Sequence, residues 1–527
     1  MKRRDFLKRT APAALLPFTI GGFGVKAYAR TPLLDALAAS AIDTDRVLVL
    51  VQLNGGNDGL NTVIPLDQYG SYNAARTNIA IAENQILKLT DATGIHPQMT
   101  GIKAMYDQQK VRVVQSVGYP NPDFSHFRST DIWLTASDYD QYTNTGWLGR
   151  YLQEEFPGFP SGYPNAQMPD PLAIQIGSTI STALETDVAN MGMAFSDPTS
   201  FYNIVNGTGN DPAPDSNAGH ELDYIRQVGQ QIQLFATPVR NAANKATNKS
   251  KLYPAARQNV LADQLGIVAK LIAGGLKTRI YIVNIGGFDT HANQNNGGNG
   301  TPVPHGTLLG QVSVAIQAFQ DDLRLLGLED RVVGMTFSEF GRRIKSNSSA
   351  GTDHGAAAPL IVFGTNVVPG ILGANPIIPN NPTPNDNLPM QYDFRAVYAS
   401  LLKDWFGAPD SELQKVLFRN FPILPIIKGT SSGAELQQGG SAAIAVGAAY
   451  PNPTRSTARI PFTSGGGHIE LSIFDSEGRR VATLVDRTLL AGPHEATLDA
   501  SDLPAGTYYC RLQSGGSSKM GQIVVVK

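Results

Sequence analysis

The sequence predicts a mostly parallel α/β sheet flanked by helices, followed by a small all-β sandwich. Residues 46–53, 111–117, 279–285 and 332–337 are apolar and rich in β-branched side chains. Continuous runs of that kind mark strands buried on both faces, as parallel sheets require. Residues 259–273 and 308–326 repeat apolar positions at intervals of three and four, the mark of amphipathic helices. Strand and helix alternate along the chain, which argues for a parallel sheet with helical crossovers. The last part reads differently. Short runs at 458–462, 468–474, 480–485, 495–498, 506–512 and 521–526 are separated by turn residues such as Ser476-Glu477-Gly478 and Pro504-Ala505-Gly506. Polar and apolar residues alternate from Ile469 to Ile473, as in a strand with one wet face.

At the start, Met1-Lys2-Arg3-Arg4-Asp5-Phe6-Leu7-Lys8 reads as a twin-arginine export signal, followed by an apolar stretch at 11–24 and the small-residue site Ala27-Tyr28-Ala29. The expected mature chain begins near Arg30, and the twin-arginine translocase is the expected first partner. That route carries folded proteins, which suits a metal site loaded in the cytoplasm. No later segment reaches the roughly 18 apolar residues a membrane span needs. The expected division is a signal at 1–29, an α/β domain at 30–428, a flexible Gly/Ser/Gln-rich linker at 429–447 and a β module at 448–527.

Each strand run of the α/β part stops at a polar cluster. Residues 46–53 lead to Asn54-Gly55-Gly56-Asn57-Asp58-Gly59, and 279–285 lead to Gly286-Gly287-Phe288-Asp289-Thr290-His291. Residues 332–337 lead to Ser338-Glu339-Phe340-Gly341-Arg342, and Gly351-Thr352-Asp353-His354-Gly355 forms a further cluster. In open α/β sheets ligands bind beyond the carboxyl ends of the strands, so the chemistry is expected where these clusters meet. Composition narrows that chemistry. Cys510 is the one cysteine, so an intrachain disulfide and thiolate zinc sites are excluded, and a metal must use His, Asp, Glu and other oxygen donors. The net charge of -2 and the lack of a basic run after the signal give no footprint for nucleic acid.

Five motifs in order carry a family resemblance. Leu53-Asn54-Gly55-Gly56-Asn57-Asp58-Gly59-Leu60-Asn61-Thr62, Phe124-Ser125-His126-Phe127, Phe288-Asp289-Thr290-His291-Ala292-Asn293-Gln294, Ser338-Glu339-Phe340-Gly341-Arg342-Arg343 and Gly351-Thr352-Asp353-His354-Gly355 resemble the DUF1501 family of exported bacterial proteins, over roughly residues 47–407. That family is similar to the alkaline phosphatase and sulfatase superfamily, whose members act on phosphate and sulfate esters with two metal ions and a Ser or Thr nucleophile. Fold similarity alone does not fix the reaction. The resemblance implies one metal set of Asp289, His291 and His354. In the other set Asn54 stands where an Asp is usual and Glu339-Phe340 where an Asp-His pair is usual, so that half is degraded. A competing alignment makes Asp353-His354 the Asp-His pair and leaves no late histidine in the main domain. Asp58 and Asp353 complete the expected ligands, and the implied cofactor is a divalent ion such as Zn, Mn, Mg or Ca.

The end of the chain resembles the type IX secretion C-terminal sorting domain, through Tyr450-Pro451-Asn452-Pro453, Leu471-Ser472-Ile473-Phe474-Asp475-Ser476-Glu477-Gly478-Arg479, Ala491-Gly492 and Leu503-Pro504-Ala505-Gly506-Thr507-Tyr508-Tyr509. The alternative is a sandwich that binds carbohydrate or a neighbouring protein. The resemblance implies type IX secretion machinery as a partner. The two ends together imply passage through the inner and then the outer membrane, to the cell surface or the exterior.

Ser125 is the expected nucleophile, because it follows a strand through a Pro-rich loop and precedes His126, and a hydroxyl needs an adjacent base or metal to react. Ser125 also reads as the cap of a helix starting near Phe127, and Ser129 or Thr130 are substitutes for it. Glu339 is expected either as a metal ligand or as half of an ion pair with Arg342 or Arg343, and Arg342 is otherwise expected to clamp a tetrahedral anion. Asp289-Thr290-His291 and 351–355 each have a plainer reading as turns. His96, His220 and His305 read as ordinary loop or helix residues. The expected function is hydrolysis of a small or polysaccharide-type phosphate or sulfate ester. The other reading, which Asn54 and Phe340 allow, is a metal-stabilised binding or assembly protein without catalysis.

Overall fold

The structure, a computed structural model, describes residues 45–200, 234–297, 303–428, 445–447, 449–514 and 517–527, together with Phe18–Ile20 and Phe23–Val25. The two short segments pair as antiparallel strands. The rest of the expected export signal, His220 and most of the expected linker lie outside the described residues. The chain divides into two compact units, Met1–Thr430 and Ser431–Lys527.

The first unit is built on a nine-stranded sheet. Its strands are β1 (Val47–Leu53), β2 (Val111–Gly118), β3 (Ala173–Ile176), β4 (Met193–Phe195), β5 (Ile280–Ile285), β6 (Val332–Phe337), β7 (Ala358–Phe363), β8 (Gly370–Leu372) and β9 (Tyr392–Asp393). The order is β8-β2-β7-β6-β1-β5-β3-β4, with β9 also against β2. β1 lies between β5 and β6, parallel to both, with Val49 opposite Tyr281 and Gly334. Only β7 runs against its neighbours in this sheet. Every residue of β1, β2 and β6 is buried, which is why these runs are apolar without alternation.

Both faces are covered. Successive side chains of a strand point to opposite faces, so Leu48 and Leu50 join Ile282 and Met335 against Trp133, Trp147 and Tyr398 on one side. Val49 and Val51 join Tyr281 and Val283 against Leu265, Val268, Ile316 and Phe319 on the other. The helices that pack on these faces are α1 (Thr100–Asp107), α2 (His126–Thr135), α3 (Trp147–Glu155), α4 (Val260–Ala273), α5 (His305–Leu325) and α6 (Phe394–Ser400). Asn259 caps α4, its side chain accepting from the Ala262 N–H at 3.1 Å. α5 starts at His305 rather than at 308, because Pro304 and a buried His305 hydrogen-bonded to Asn57 set its first turn.

In the second unit the short runs fuse. Thr457–Phe474 and Arg480–Asp499 are two long antiparallel partners, and Gly506–Ser514 and Ser517–Val525 complete the sheet. Ala445–Val446, expected in the linker, pair with Phe462 and Thr463. Ile460, Leu471, Leu498, Leu512 and Ile523 fill its core with the buried Cys510. Among the described residues no helix is long and apolar enough to cross a membrane.

At the amino edge of the main sheet Arg279 donates to Glu155 at 2.9 Å. Glu412, on the helix Asp410–Leu417, faces Glu155 and Glu154, and its buried Oε1 has no partner among the described residues. Burial, then the like charges of Glu155 and Glu154, push its carboxyl up to about 7, against the opposing pull of Lys415 and Arg279. The folded chain therefore holds a proton that the unfolded chain releases near its ordinary value of 4.5, and stability falls as pH rises from about 4.5 to about 7. Glu412→Gln is expected to flatten that fall and to add roughly 0.5–2 kcal/mol at pH 8, because solvent screens the exposed part of the group. Urea unfolding across pH 5–8 checks this, and an unchanged pH profile would count against it.

Candidate metal centre

The antiparallel course of β7 is what assembles the site. β1, β5 and β6 are parallel and end together at Leu53, Ile285 and Phe337. Since β7 runs the other way, the segment entering it, His354–Gly355, lies at that same carboxyl edge. His354–Gly355 pairs with Gly341–Arg342. His126 arrives from β2, at the start of α2. The loop leading to it is pinned by Tyr119, whose hydroxyl accepts from the Asp123 N–H at 3.0 Å and meets the Ser129 hydroxyl at 2.9 Å.

Close approach of these loops needs glycine at two places. Gly55 has φ +122°, and a Cβ there would lie 2.4 Å from the Asp289 nitrogen. A Cβ on Gly351 would lie 2.2 Å from the His291 carbonyl carbon. The loop after β1 is stitched to the loop after β6, because Ser338 accepts from the Asn57 N–H and Glu339 from the Gly55 N–H, each at 2.9 Å.

Asp289, His291 and His354 come together. Asp289 Oδ1 lies 3.0 Å from His291 Nε2 and 3.3 Å from His354 Nε2, and the two Nε2 atoms are 2.8 Å apart. His126 joins them, with Nε2 at 3.4 Å from Asp289 Oδ2. Donor atoms of His126, Asp289 and His354 all lie within 4.8 Å of one another. His354 Nδ1 is 2.7 Å from the Phe124 carbonyl. A carbonyl only accepts, so Nδ1 carries the proton, and in the neutral ring the Nε2 lone pair faces Asp289. Burial lowers the pKa of His354 against the bond to Phe124, which favours that neutral ring. Two acceptors facing each other at 3.3 Å, beside a second imidazole, form a donor set that fits a cation.

Asp289 is ionised throughout the physiological range. Burial alone would raise its carboxyl, but the hydrogen bond and charge of Arg342, with help from His291 and His354, hold it at about 2. Arg342 is placed otherwise than an anion clamp requires. It is 1 % exposed, and its guanidinium donates to the carbonyls of Gly55, Gly56, Phe288 and Thr352 and to Asp289. It ties the site's loops together from below.

Other expected site residues take supporting places. Glu339, expected as a ligand, is buried and accepts from His126 Nδ1 at 2.8 Å, which turns His126 Nε2 toward Asp289. Asp353 Oδ1 lies 3.4 Å from His291 Nδ1 and accepts from Asn347 at 3.1 Å. Asp58 is not in the cluster; it forms a fully buried pair with Arg76 at 2.6 Å. Asn54 follows β1, with its backbone bonded to Ile285 and Phe288. Ser125 is the exposed N-cap residue of α2, and its side chain makes no cap hydrogen bond. Ser129 is buried and bonded to the Asp123 carbonyl at 2.6 Å, so it is no substitute nucleophile. The buried Phe340 ring packs 4.9 Å from His126 and 4.4 Å from His354.

A carboxylate behind a ligand histidine fixes its tautomer and orientation, and losing it typically weakens metal binding by about 10- to 100-fold. Glu339→Gln is therefore expected to weaken Zn²⁺ or Mn²⁺ binding by at least about 10-fold while leaving some uptake. Titration calorimetry on metal-free protein checks this. Affinity equal to wild type would mean that His126 takes no part.

The family described as protein of unknown function (DUF1501) matches residues 211–414, and the secretion system C-terminal sorting domain matches residues 448–527. The second match implies secretion to the cell surface. Among curated proteins, none matches the chain. Solved structures similar to the chain include a protein in the alkaline phosphatase superfamily from Vibrio parahaemolyticus, at 10 % identity over 84 % of this chain and 83 % of that one, with a TM-score of 0.35. Another is the PsFucS1 sulfatase from Pseudoalteromonas sp., at 9 % identity over 89 % and 88 %, with a TM-score of 0.34. A third is PorZ, a surface component of the type IX secretion system of Porphyromonas gingivalis, at 21 % identity and a TM-score of 0.13. That likeness covers 17 % of this chain, which spans only 13 % of PorZ.

Proposed function

We propose that the chain is an exported metal-dependent hydrolase of phosphate or sulfate esters, with its cation gripped by Asp289, His291 and His354 and by His126. The observation that carries this reading is the convergence of His291 Nε2, His354 Nε2 and Asp289 Oδ1 within 3.3 Å, with the His354 lone pair turned inward by the Phe124 carbonyl. A set dominated by imidazole suits Zn better than Mn, Mg or Ca, which prefer oxygen. When bound, such an ion polarises a phosphoryl or sulfuryl oxygen and lowers the pKa of a coordinated hydroxyl. The protein's own part is to hold Asp289 charged through Arg342 and to aim His126 through Glu339. Both ring nitrogens of His126 face carboxylates, so it is not a free base for Ser125. The exposed Ser125 hydroxyl and solvent are the nucleophiles this arrangement leaves open. We assign the route of export to the twin-arginine translocase and then to type IX machinery, with residues 30–428 carrying the site.

One observation favours a second reading, a metal-stabilised binding or assembly protein. Phe340 packs against His126 and His354, and the superfamily resemblance implies a second-ion ligand at that position. Turnover of p-nitrophenyl phosphate and p-nitrophenyl sulfate by metal-loaded protein separates the two. Turnover that disappears in Asp289→Ala and His354→Ala supports the hydrolase. A bound ion without turnover of either ester supports the second reading, and turnover untouched by both substitutions excludes this site as its source.

A further inference from the structure

We infer that Gln294 is a positioning residue that braces the ligand-bearing loops against each other, an inference that rests on the metal reading above. Gln294 is completely buried. Its Oε1 accepts two hydrogen bonds, from the Thr290 and Thr352 hydroxyls, each at 2.9 Å. Thr290 lies between Asp289 and His291, and Thr352 precedes Asp353-His354. One carbonyl oxygen therefore joins the loop after β5 to the loop before β7. The Thr352 N–H adds a backbone bond to the Thr290 carbonyl at 3.1 Å.

The amide nitrogen extends the brace. Gln294 Nε2 donates to Asp58 Oδ2 at 2.6 Å, and the same oxygen takes Arg76 Nη1 at 2.6 Å. Arg76 also donates to the carbonyls of Ile344, at 2.8 Å, and Arg343, at 2.7 Å. The loop after β1, through Asp58, and the segment after β6, through Arg76, are thus fixed to the same amide. No other side chain serves both ends equally. A glutamate would set a second carboxylate against Asp58, and a leucine would leave two buried threonine hydroxyls without their acceptor. Buried polar groups joined in this way specify one arrangement when all partners are met. The arrangement they specify here is the spacing between His291 and His354.

The test compares full-length wild type, Gln294→Leu, Thr290→Val, Thr352→Val and the double threonine variant. Metal-free protein is titrated with Zn²⁺ and with Mn²⁺. Gln294→Leu is expected to bind about 10- to 100-fold more weakly, as for other groups that orient metal ligands. Each threonine variant is expected to lose less, and the double variant to approach Gln294→Leu. The threonine variants carry the test if Gln294→Leu does not fold. A second readout needs no metal. In ¹H–¹⁵N imidazole spectra of metal-free protein, the His291 and His354 Nε2 signals are expected to move in the variants while His468 stays fixed. Wild-type affinity and unmoved imidazole signals in the folded variants would overturn the inference. If wild type takes up no ion, the metal reading fails, whereas the imidazole signals still decide whether Gln294 sets the spacing.

Discussion

Asp289→Ala and His354→Ala are each expected to empty the site, taking bound Zn²⁺ or Mn²⁺ from near one equivalent to below about 0.1 and lowering any ester turnover by at least about 1,000-fold. Asp289 supplies the charge that faces His291, His354 and His126 at once. Glu339 does not replace it, because it is spent on His126, Ser338 and the Gly55 N–H, and Asp353 faces His291 Nδ1 rather than Nε2. The side chain is 47 % exposed but accepts from the buried Arg342 guanidinium, so its removal is expected to lower folding stability by about 1–3 kcal/mol. Asp353→Ala is the informative contrast. It removes an acceptor beside His291 Nδ1 but no proposed ligand, and is expected to cost about 10-fold in affinity. Elemental analysis and thermal melts on the three variants check both parts. Full metal content in Asp289→Ala would remove the proposed centre.

Arg342→Met is expected to act on the fold instead. The guanidinium is fully buried beneath the site and donates to Asp289 and to carbonyls from the loops after β1 and β5 and before β7. Its loss leaves the carbonyls of Gly55, Gly56, Phe288 and Thr352 without this donor, and each buried polar group left unpaired typically costs about 1–3 kcal/mol, so a loss of several kcal/mol is expected here. Arg342→Lys keeps the charge but not the planar fork that reaches several carbonyls, and is expected to recover only part of it. An anion clamp would behave oppositely, with stability kept and KM raised. Denaturant unfolding of metal-free protein distinguishes the two.

The main sheet was legible where strands are buried on both faces. The lengths of β1, β2, β5 and β6 agree with the apolar runs to within a residue or so. β3 and β4, Ala-Ile-Gln-Ile and Met-Ala-Phe, are too short to stand out from loop sequence; β3 owes its pairing to β5 next to it, and β4 its own to β3. The reversed direction of β7 has no local signature at all, yet it brings His354 to the ligand edge. In the second unit, turn residues suggested breaks inside Thr457–Phe474 and Arg480–Asp499 that cross-strand pairing overrides.

At the site, sequence spacing pointed to polar residues after buried strands, and it could not say which way each one turns. Asp58 and Asp289 look alike in that respect, since both follow a glycine-bearing turn. Asp58 points inward to Arg76 and is fully buried, whereas Asp289 remains half-exposed. Arg342 and Glu339 were likewise marked as polar residues at a strand end, and their partners, distant in sequence, decide that one supports the loops and the other His126. Gln294 carried a faint signal, closing the motif that begins at Phe288. Its role depends on Thr352 and Asp58, which only the folded chain brings near.

The most direct measurement is anomalous X-ray diffraction from crystals of full-length protein grown with Zn²⁺, recorded on both sides of the zinc edge. A single strong peak about 2.0–2.2 Å from Asp289 Oδ1, His291 Nε2 and His354 Nε2 is the predicted result. A zinc peak elsewhere in the protein, or none at this cluster while the three side chains stay in place, would contradict it.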